Sequence, residues 1–95
     1  MPLFVLIGHD GPRGAELRKL HRPAHLAGLE PLAQAGRIRY AGPMLNEDGA
    51  AVGSVVLFEA DSLAEAQAIA ARDPYVTHGI FARYEVRETK AVFGG

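Results

Sequence analysis

Two kinds of hydrophobic pattern follow one another along this chain of 95 residues, and their order constrains the fold more than any other feature. Short apolar or alternating runs are typical of strands, and apolar residues recurring every three or four positions are typical of helices. Residues 3–7 and 54–59 predict two strands rich in β-branched and aromatic side chains. Alternation in residues 37–41 and 80–87 predicts two more strands, and a short edge strand is expected at 91–93.

The first helical pattern, in residues 14–36, contains two prolines. Pro23 and Pro31 lack an N–H, and each costs about 3 kcal/mol in a helix interior. We therefore expect a break or kink near Pro23, which would then occupy the first turn of a second helical piece. Gly36 is expected to follow the end of the helix, because glycine readily adopts the left-handed conformation common there.

The second helical pattern, in residues 63–71, has clear boundaries. Asp61 or Ser62 can cap its start, and Ser62 with Glu65 forms the sequence pattern of a capping box. A proline follows Asp73 and ends the helix, because the residue before a proline avoids the helical conformation. Turn-forming residues predict loops or strand ends at 8–12, 42–43, 46–49 and 75–79.

The resulting order of strand, helix, strand, strand, helix and strand predicts an α+β fold of the ferredoxin-like βαββαβ type. In this fold a four-stranded antiparallel sheet carries both helices on one face. The length suits one small domain, so we expect residues 1–95 to form a single domain. The first and third strands are apolar on both sides, which would leave one apolar sheet face exposed in a monomer. We therefore predict a homodimer with the two sheets packed face to face.

Composition excludes several classes of function. With 10 basic and 11 acidic residues, the chain has no global positive field that would attract nucleic acid. The apolar run at residues 3–7 is too short for a signal sequence, and no stretch is long enough to span a membrane, so we expect a cytoplasmic protein. The absence of cysteine excludes disulfides, thiolate nucleophiles and cysteine-ligated metals. Any chemistry must therefore use His, Asp, Glu, Tyr, Arg or Lys.

Three short segments, at residues 22–26, 41–44 and 72–76, together resemble the YCII-related (YciI-like) family. The resemblance covers nearly the whole chain. It implies a dimeric α/β barrel with a pocket in which a histidine and an aspartate form a catalytic pair. In this sequence the matching residues are His25 and Asp73.

The chemistry that such a pair can perform is general acid–base catalysis. If the two helices lie side by side, His25 and Asp73 can meet near one end of the sheet. An aspartate that accepts the Nδ1–H of an imidazole leaves Nε2 free to exchange a proton with a substrate near neutral pH. Arg22 could orient an anionic substrate, and Tyr75 could donate a hydrogen bond to an oxyanion. The remaining substrate-binding candidates are Gly42 and Pro43, where the backbone can approach a ligand, and Met44, which could line an adaptable wall.

Two further patterns are discounted. His21 and His25 have the spacing of paired zinc ligands on a helix, but Pro23 interrupts the regular helix that such a site needs. Residues 8–14 are rich in glycine but lack the sequence of a phosphate-binding loop. We therefore expect neither a metal nor a cofactor.

Three functions remain open. The first is a small enzyme that works without a cofactor on a small polar or aromatic metabolite, by isomerase, lyase or dehydrohalogenase chemistry. The second is a non-catalytic dimeric module that binds a small molecule or serves as an accessory protein. The third is a purely structural dimerisation domain, in which the histidine–aspartate pair would be incidental.

Overall fold

Residues 1–94 are described by a computed structural model, in which four strands and two long helices follow in the predicted order, with a short third helix before the last strand. They are β1 (Leu3–Asp10), α1 (Gly14–Gln34), β2 (Ile38–Leu45), β3 (Ala51–Glu59), α2 (Leu63–Arg72), α3 (Pro74–Thr77) and β4 (Phe81–Thr89). The segment expected as a connector at 75–79 overlaps α3, a single helical turn. Gly95, the last residue of the expected domain, lies outside the described residues.

The four strands form one antiparallel sheet in the order β2-β3-β1-β4. This is the predicted ferredoxin-like arrangement, with the two most apolar strands, β1 and β3, at the centre. Buried side chains from one face of the sheet cluster with side chains of α1 and α2, so both helices cover that face. The members of this core are Phe4, Leu6, Leu32, Val56, Phe58, Ala60, Ala66 and Ala70.

Within residues 1–94, the opposite face of the sheet carries no helix. Side chains alternate along a strand, so Val5 and Ile7 of β1 lie on this face beside their partners Leu57 and Val55 of β3. All four are only partly buried in the single chain. The sheet therefore has one face sealed by helices and one apolar face that is partly open to solvent.

Helix α1 runs unbroken through both prolines, so the expected break near Pro23 is wrong. Pro23 and Pro31 both lie on the exposed side of the helix. A proline removes one helical hydrogen bond, but on the solvent side water can bind the carbonyl that it frees. The consequence for function is that His25 lies within a continuous helix and not in the first turn of a new one.

Strand β2 also continues where the sequence predicts that it stops. Gly42 and Pro43 lie inside the strand, with Pro43 paired to Ser54 of β3. Because β2 is an edge strand, one side of its backbone has no partner strand. A proline whose missing N–H is on that side removes no hydrogen bond from the sheet.

The ends of other elements differ less from expectation. Strand β1 extends to Asp10 through an irregularity in its pairing with β4 at His9 and Asp10, where a loop is predicted. The expected edge strand at 91–93 does not form, and Val92 and Phe93 are almost fully exposed. One of the two bonds of the expected capping box is present at α2, since the Glu65 N–H donates to Ser62 Oγ over 3.1 Å, while the Glu65 carboxylate accepts from the Asp61 N–H over 2.8 Å. Within residues 1–94 no helix combines the length and apolarity needed to cross a bilayer.

Candidate active site

Asp73 occupies the junction between α2 and α3. It is the C-cap residue of α2 and the N-cap residue of α3. As the N-cap of α3, it accepts a hydrogen bond from the Tyr75 N–H at Oδ1 over 2.9 Å. Pro74, the first residue of α3, has no N–H that would need a partner. The local sequence therefore holds the carboxylate in one orientation, and Asp73 is only 8% exposed.

His25 is buried on α1 and faces this carboxylate. Its Nδ1 lies 2.8 Å from Asp73 Oδ1 and 2.9 Å from Oδ2. An ionised carboxylate can only accept a hydrogen bond, so the contact favours the tautomer that carries its proton on Nδ1. The ring nitrogen that remains for a ligand is Nε2.

The Tyr75 ring stacks on the imidazole of His25, and we call this pair the inner stack. The two ring centres are 3.9 Å apart and the planes differ by 4°. The guanidinium carbon of Arg18 lies 4.9 Å from the centre of the same Tyr75 ring. Arg18 and His25 are seven residues apart, about 10 Å along one side of a helix, so the Tyr75 ring fits between them. Burial raises the pKa of Tyr75, although Arg18 and Arg22 oppose the effect, so its phenol is protonated at neutral pH.

A second pair of rings, the outer stack, lies at the same junction of α1 and α3. His21 and His78 stack with ring centres 4.0 Å apart and planes differing by 12°. His78 is exposed, and neither ring lines the cavity described below. The inner stack holds Tyr75 of α3, two residues from Asp73, against His25 of α1, and the outer stack lies further from the carboxylate contact.

A buried ion pair lies beside the inner stack. Arg18 donates from Nε and Nη2 to the two carboxylate oxygens of Asp10, over 2.6 and 2.9 Å, and from Nη2 to Ser54 Oγ over 2.9 Å. Burial acts to lower the pKa of Arg18, but the Asp10 carboxylate and the Tyr75 phenol together raise it by more, so the guanidinium remains charged.

This cluster is the part of the site that sequence reasoning misses. Each member has an ordinary local interpretation: Asp10 in a turn, Arg18 on a helix surface and Ser54 at the start of a strand. One signal was available, since Arg18, Arg22 and His25 recur at helical spacing and therefore share one side of α1. The partners of Arg18 come from β1 and β3, and only the folded sheet brings them together.

A cavity of about 300 Å³ lies between α1, α3 and the end of the sheet formed by β2 and β3. We call it the site cavity. Of the predicted residues, those that line it are His25, Arg22, Gly42, Pro43 and Tyr75. Asp73 does not line it and lies behind the imidazole, as a partner of His25 would. Sequence reasoning did not include Arg18, Lys19 and Ser54, which also line the cavity.

Met44 does not line the site cavity, contrary to the prediction. The prediction assumed a turn at Gly42 and Pro43, from which all three residues could face a ligand. Because β2 continues as a strand, successive side chains point to opposite faces. Met44 consequently pairs with Gly53 on the face that carries no helix.

The charges around the site cavity are unequal. Its lining includes Arg18, Lys19 and Arg22 and, within the described part of the chain, no carboxylate. Lys19 and Arg22 are exposed, whereas the charge of Arg18 is balanced by Asp10 behind it. No group of three His, Cys, Asp or Glu side chains in residues 1–94 is arranged to hold a metal ion. The geometry is suited to an anionic ligand and to proton transfer by one imidazole.

A second cavity, of about 350 Å³, lies between α1 and α2. Its walls are mainly apolar, and Arg37 pairs with Glu65 on its lining over 2.7 Å. Asp73 lines this cavity, but His25 does not. It therefore offers no group equivalent to the free nitrogen of the imidazole.

Known proteins resemble this chain over nearly its full length. The Escherichia coli O6:H1 protein named Protein YciI is 43% identical over 97 aligned residues, which cover 96% of this chain and 99% of that protein. A Haemophilus influenzae protein described as uncharacterized is 33% identical and covers 95% of this chain and 98% of its own length. Neither name states an activity.

Among solved structures with the same fold, an enzyme is also similar to this chain in sequence. It is 5-chloro-2-hydroxyhydroquinone dehydrochlorinase (TftG) from Burkholderia phenoliruptrix AC1100, in complex with 2,5-dihydroxybenzoquinone. The TM-score is 0.82 with 33% identity, and the match covers 93% of each chain. An antibiotic biosynthesis monooxygenase, with a TM-score of 0.58 and 15% identity, shares the fold alone. The model of the YCII-related domain matches residues 2–90, and the chain therefore belongs to the YCII-related family.

Proposed function

We propose that this chain is a small enzyme that needs no cofactor and uses His25, oriented by Asp73, to move a proton on a small oxygenated metabolite. The observation that carries the proposal is the position of one imidazole. Its Nδ1 is held by a buried carboxylate, and its ring lines a cavity large enough for a small molecule. Groups held in this way exchange protons efficiently near neutral pH.

The reaction type that fits this geometry is isomerisation, elimination or dehydrohalogenation. In an elimination, Nε2 of His25 takes a proton from the substrate, the released electron pair forms a double bond, and the leaving group departs with its own bonding pair. The carboxylate of Asp73 stabilises the imidazolium that forms. Oxidation states balance without an added oxidant or reductant, so the step requires no redox cofactor.

An oxygenated aromatic ring is the substrate class that we propose. Lys19 and Arg22 would attract an anionic oxygen, and the protonated phenol of Tyr75 could donate to an oxygen of the ring. Backbone at Gly42 and Pro43 would border the ring. The dehydrochlorinase of Burkholderia, a relative with the same fold, acts on a hydroxylated chloroarene according to its name.

Turnover of 5-chloro-2-hydroxyhydroquinone tests the proposal directly, with chloride release and quinone absorbance as the two readouts. We expect His25→Ala to lower kcat by at least about 100-fold, the usual contribution of a general base. Asp73→Asn should lower kcat as well, because an amide can neither stabilise an imidazolium nor orient the ring in the same way. His78→Ala is the matched control, since it removes an imidazole from the same junction but not from the cavity.

Two outcomes would contradict the enzyme. If His25→Ala folds normally and keeps wild-type turnover, the imidazole is not the base. If the wild-type chain binds 2,5-dihydroxybenzoquinone and its close analogues but converts none of a panel of halogenated and hydroxylated rings, the non-catalytic binding module replaces the enzyme.

We also propose that a second copy of the chain covers the open sheet face. The partly buried side chains Val5, Ile7, Val55 and Leu57 form a continuous apolar strip there. Burying such a strip against its own copy releases water from both surfaces. Light scattering at micromolar concentration should give the mass of a dimer, and Val5→Glu should give a monomer. A wild-type monomer would contradict this arrangement.

A further inference from the structure

The cluster of Arg18, Asp10 and Ser54 is buried at the wall of the site cavity, and the proposed acid–base pair does not use it. The side chains of Arg18 and Asp10 are 12% and 6% exposed, and Ser54 is 4% exposed. A buried ion pair is weak evidence for stability, because removing two charges from water costs about as much as their attraction returns. Because Arg18 and Ser54 line the site cavity, we consider a role for the cluster in binding a ligand.

Hydrogen bonding within the cluster leaves donors available. Asp10 accepts from Nε and Nη2 of Arg18, and Ser54 Oγ accepts from Nη2. A serine oxygen that accepts in this way still carries its own O–H as a donor. Within residues 1–94, neither the Ser54 O–H nor Nη1 of Arg18 forms a hydrogen bond of standard geometry with another side chain, although the Tyr75 phenol lies near enough to Arg18 to help raise its pKa. Both Arg18 and Ser54 line the site cavity.

The backbone around Asp10 is shaped to hold this arrangement. The pairing of β1 with β4 is irregular at Asp10, and its carboxylate lies against the first residue of α1, Gly14. A Cβ at Gly14 would lie 2.5 Å from Asp10 Oδ2, so no larger residue fits without movement. The N-terminus of a helix also favours a nearby negative charge. Asp10 binds the side of the Arg18 guanidinium that carries Nε and Nη2, so Nη1 is not used in this ion pair.

The other two cations of the cavity differ from Arg18 in exposure and in ion pairing. Lys19 and Arg22 are exposed, and within the described residues neither forms an ion pair. Exposed charges act over distance and are screened by salt, whereas buried donors act only at contact and are screened little. Since Asp10 neutralises Arg18, the contribution of Arg18 to binding is a directed hydrogen bond and not a net charge.

We infer that Ser54 and Arg18 form a fixed donor pair that recognises an ionised oxygen of the ligand, conjugated with a flat apolar ring. This inference rests on the proposed function only in taking the site cavity as the ligand site. The class includes enolates, phenolates and hydroxyquinone anions. Apolar cavity residues such as Leu26, Leu29 and Val56 would contact the ring, and the donor pair would hold its oxygen while His25 exchanges a proton elsewhere on it.

Calorimetric titration of the full chain with two quinones tests the inference. The probes are 2,5-dihydroxybenzoquinone, a vinylogous acid that is ionised at neutral pH, and its neutral dimethyl ether. We expect the wild-type chain to prefer the anion by about tenfold or more, the usual value of hydrogen bonds to a charged group. Ser54→Ala should lose most of that preference at both low and high salt, and Arg22→Gln should weaken anion binding only at low salt.

Two further variants keep the test interpretable. Arg18→Lys retains the charge but not the forked geometry, and it should also reduce the preference. If that variant fails to fold because Asp10 loses its partner, Ser54→Ala still tests the donor pair, since this substitution removes only a hydroxyl. Ser62→Ala is the matched control, because it removes a serine hydroxyl at the start of α2, outside the cavity, and should leave both affinities unchanged.

The outcomes separate this inference from the proposed enzyme. A wild-type chain without preference for the anion, or a folded Ser54→Ala variant that keeps the full preference, overturns the donor pair even if turnover is found. Loss of the preference in Ser54→Ala together with no turnover of any ring supports the donor pair and contradicts the enzyme.

Discussion

The inner and outer stacks place two similar pairs of rings side by side, but their surroundings differ. The ring centres are 3.9 and 4.0 Å apart; the inner pair joins α1 to α3, and the outer pair joins α1 to His78, the residue after α3. In the inner stack Tyr75 is 2% exposed and His25 is bound to a buried carboxylate. In the outer stack His78 is exposed, and within the described residues neither imidazole bonds to a carboxylate. Similar ring contacts thus occur in two environments, and only the rings of the inner stack line the site cavity.

The largest expected difference between the two stacks concerns stability. Tyr75→Ala removes a buried ring that packs against His25 and Phe81, and we expect it to lower the free energy of unfolding by about 3–5 kcal/mol. His78→Ala removes an exposed ring and should cost less than about 1 kcal/mol. Urea denaturation of both variants measures the difference. Equal losses would mean that burial does not distinguish the two stacks.

An intermediate effect is expected when each histidine of α1 is replaced by phenylalanine, which keeps a flat ring. His25→Phe leaves the Asp73 carboxylate without its imidazole partner and should cost about 1–3 kcal/mol. His21→Phe breaks no hydrogen bond to another side chain within residues 1–94 and should change stability by less than about 0.5 kcal/mol. The same denaturation experiment applies. A large loss in His21→Phe would show that the outer stack has a polar role as well.

The smallest effect is a dependence on alkaline pH that arises from the inner stack. Burial raises the pKa of Tyr75 above its ordinary value of 10.0, so the folded state retains this proton where the unfolded state has lost it. Stability therefore falls as the pH rises from the unfolded pKa to the folded pKa. The loss should begin near the ordinary pKa of 10.0 and be absent in Tyr75→Phe. Absorbance of tyrosinate should show one late titration step, also absent in Tyr75→Phe. If the late step persists in Tyr75→Phe, it belongs to another tyrosine.

The sequence was sufficient to predict the order of elements, because hydrophobic periodicity reflects which side of each element is buried. It was not sufficient at the prolines. Pro23 and Pro43 both lie inside elements that local propensity would end. The missing N–H of a proline costs little where the backbone around it faces solvent or an unpaired strand edge. The solvent side of α1 and the free edge of β2 provide these two environments. Those are properties of the assembled sheet and helices.

The candidate site shows the same division. His25 and Asp73 were identified from segments that resemble a known family, and the structure brings them into hydrogen-bond contact. Met44 was misplaced because a turn was assumed where a strand continues. Arg18 gave only a helical spacing as a signal, since its partners, Asp10 and Ser54, are 8 and 36 residues away along the chain.

The sequence by itself determined the layers of this protein: the order of its four strands and two long helices, and that one sheet face is covered while the other stays apolar. Only the tertiary structure decided which polar side chains meet at the cavity and which cations are held or free. The physical reason is that the alternation of buried and exposed residues has a short period, about two residues in a strand and three to four in a helix, so a short stretch of sequence shows it. A charge-bearing contact across β1, β3 and α1 depends on register and packing, which no local stretch of sequence contains.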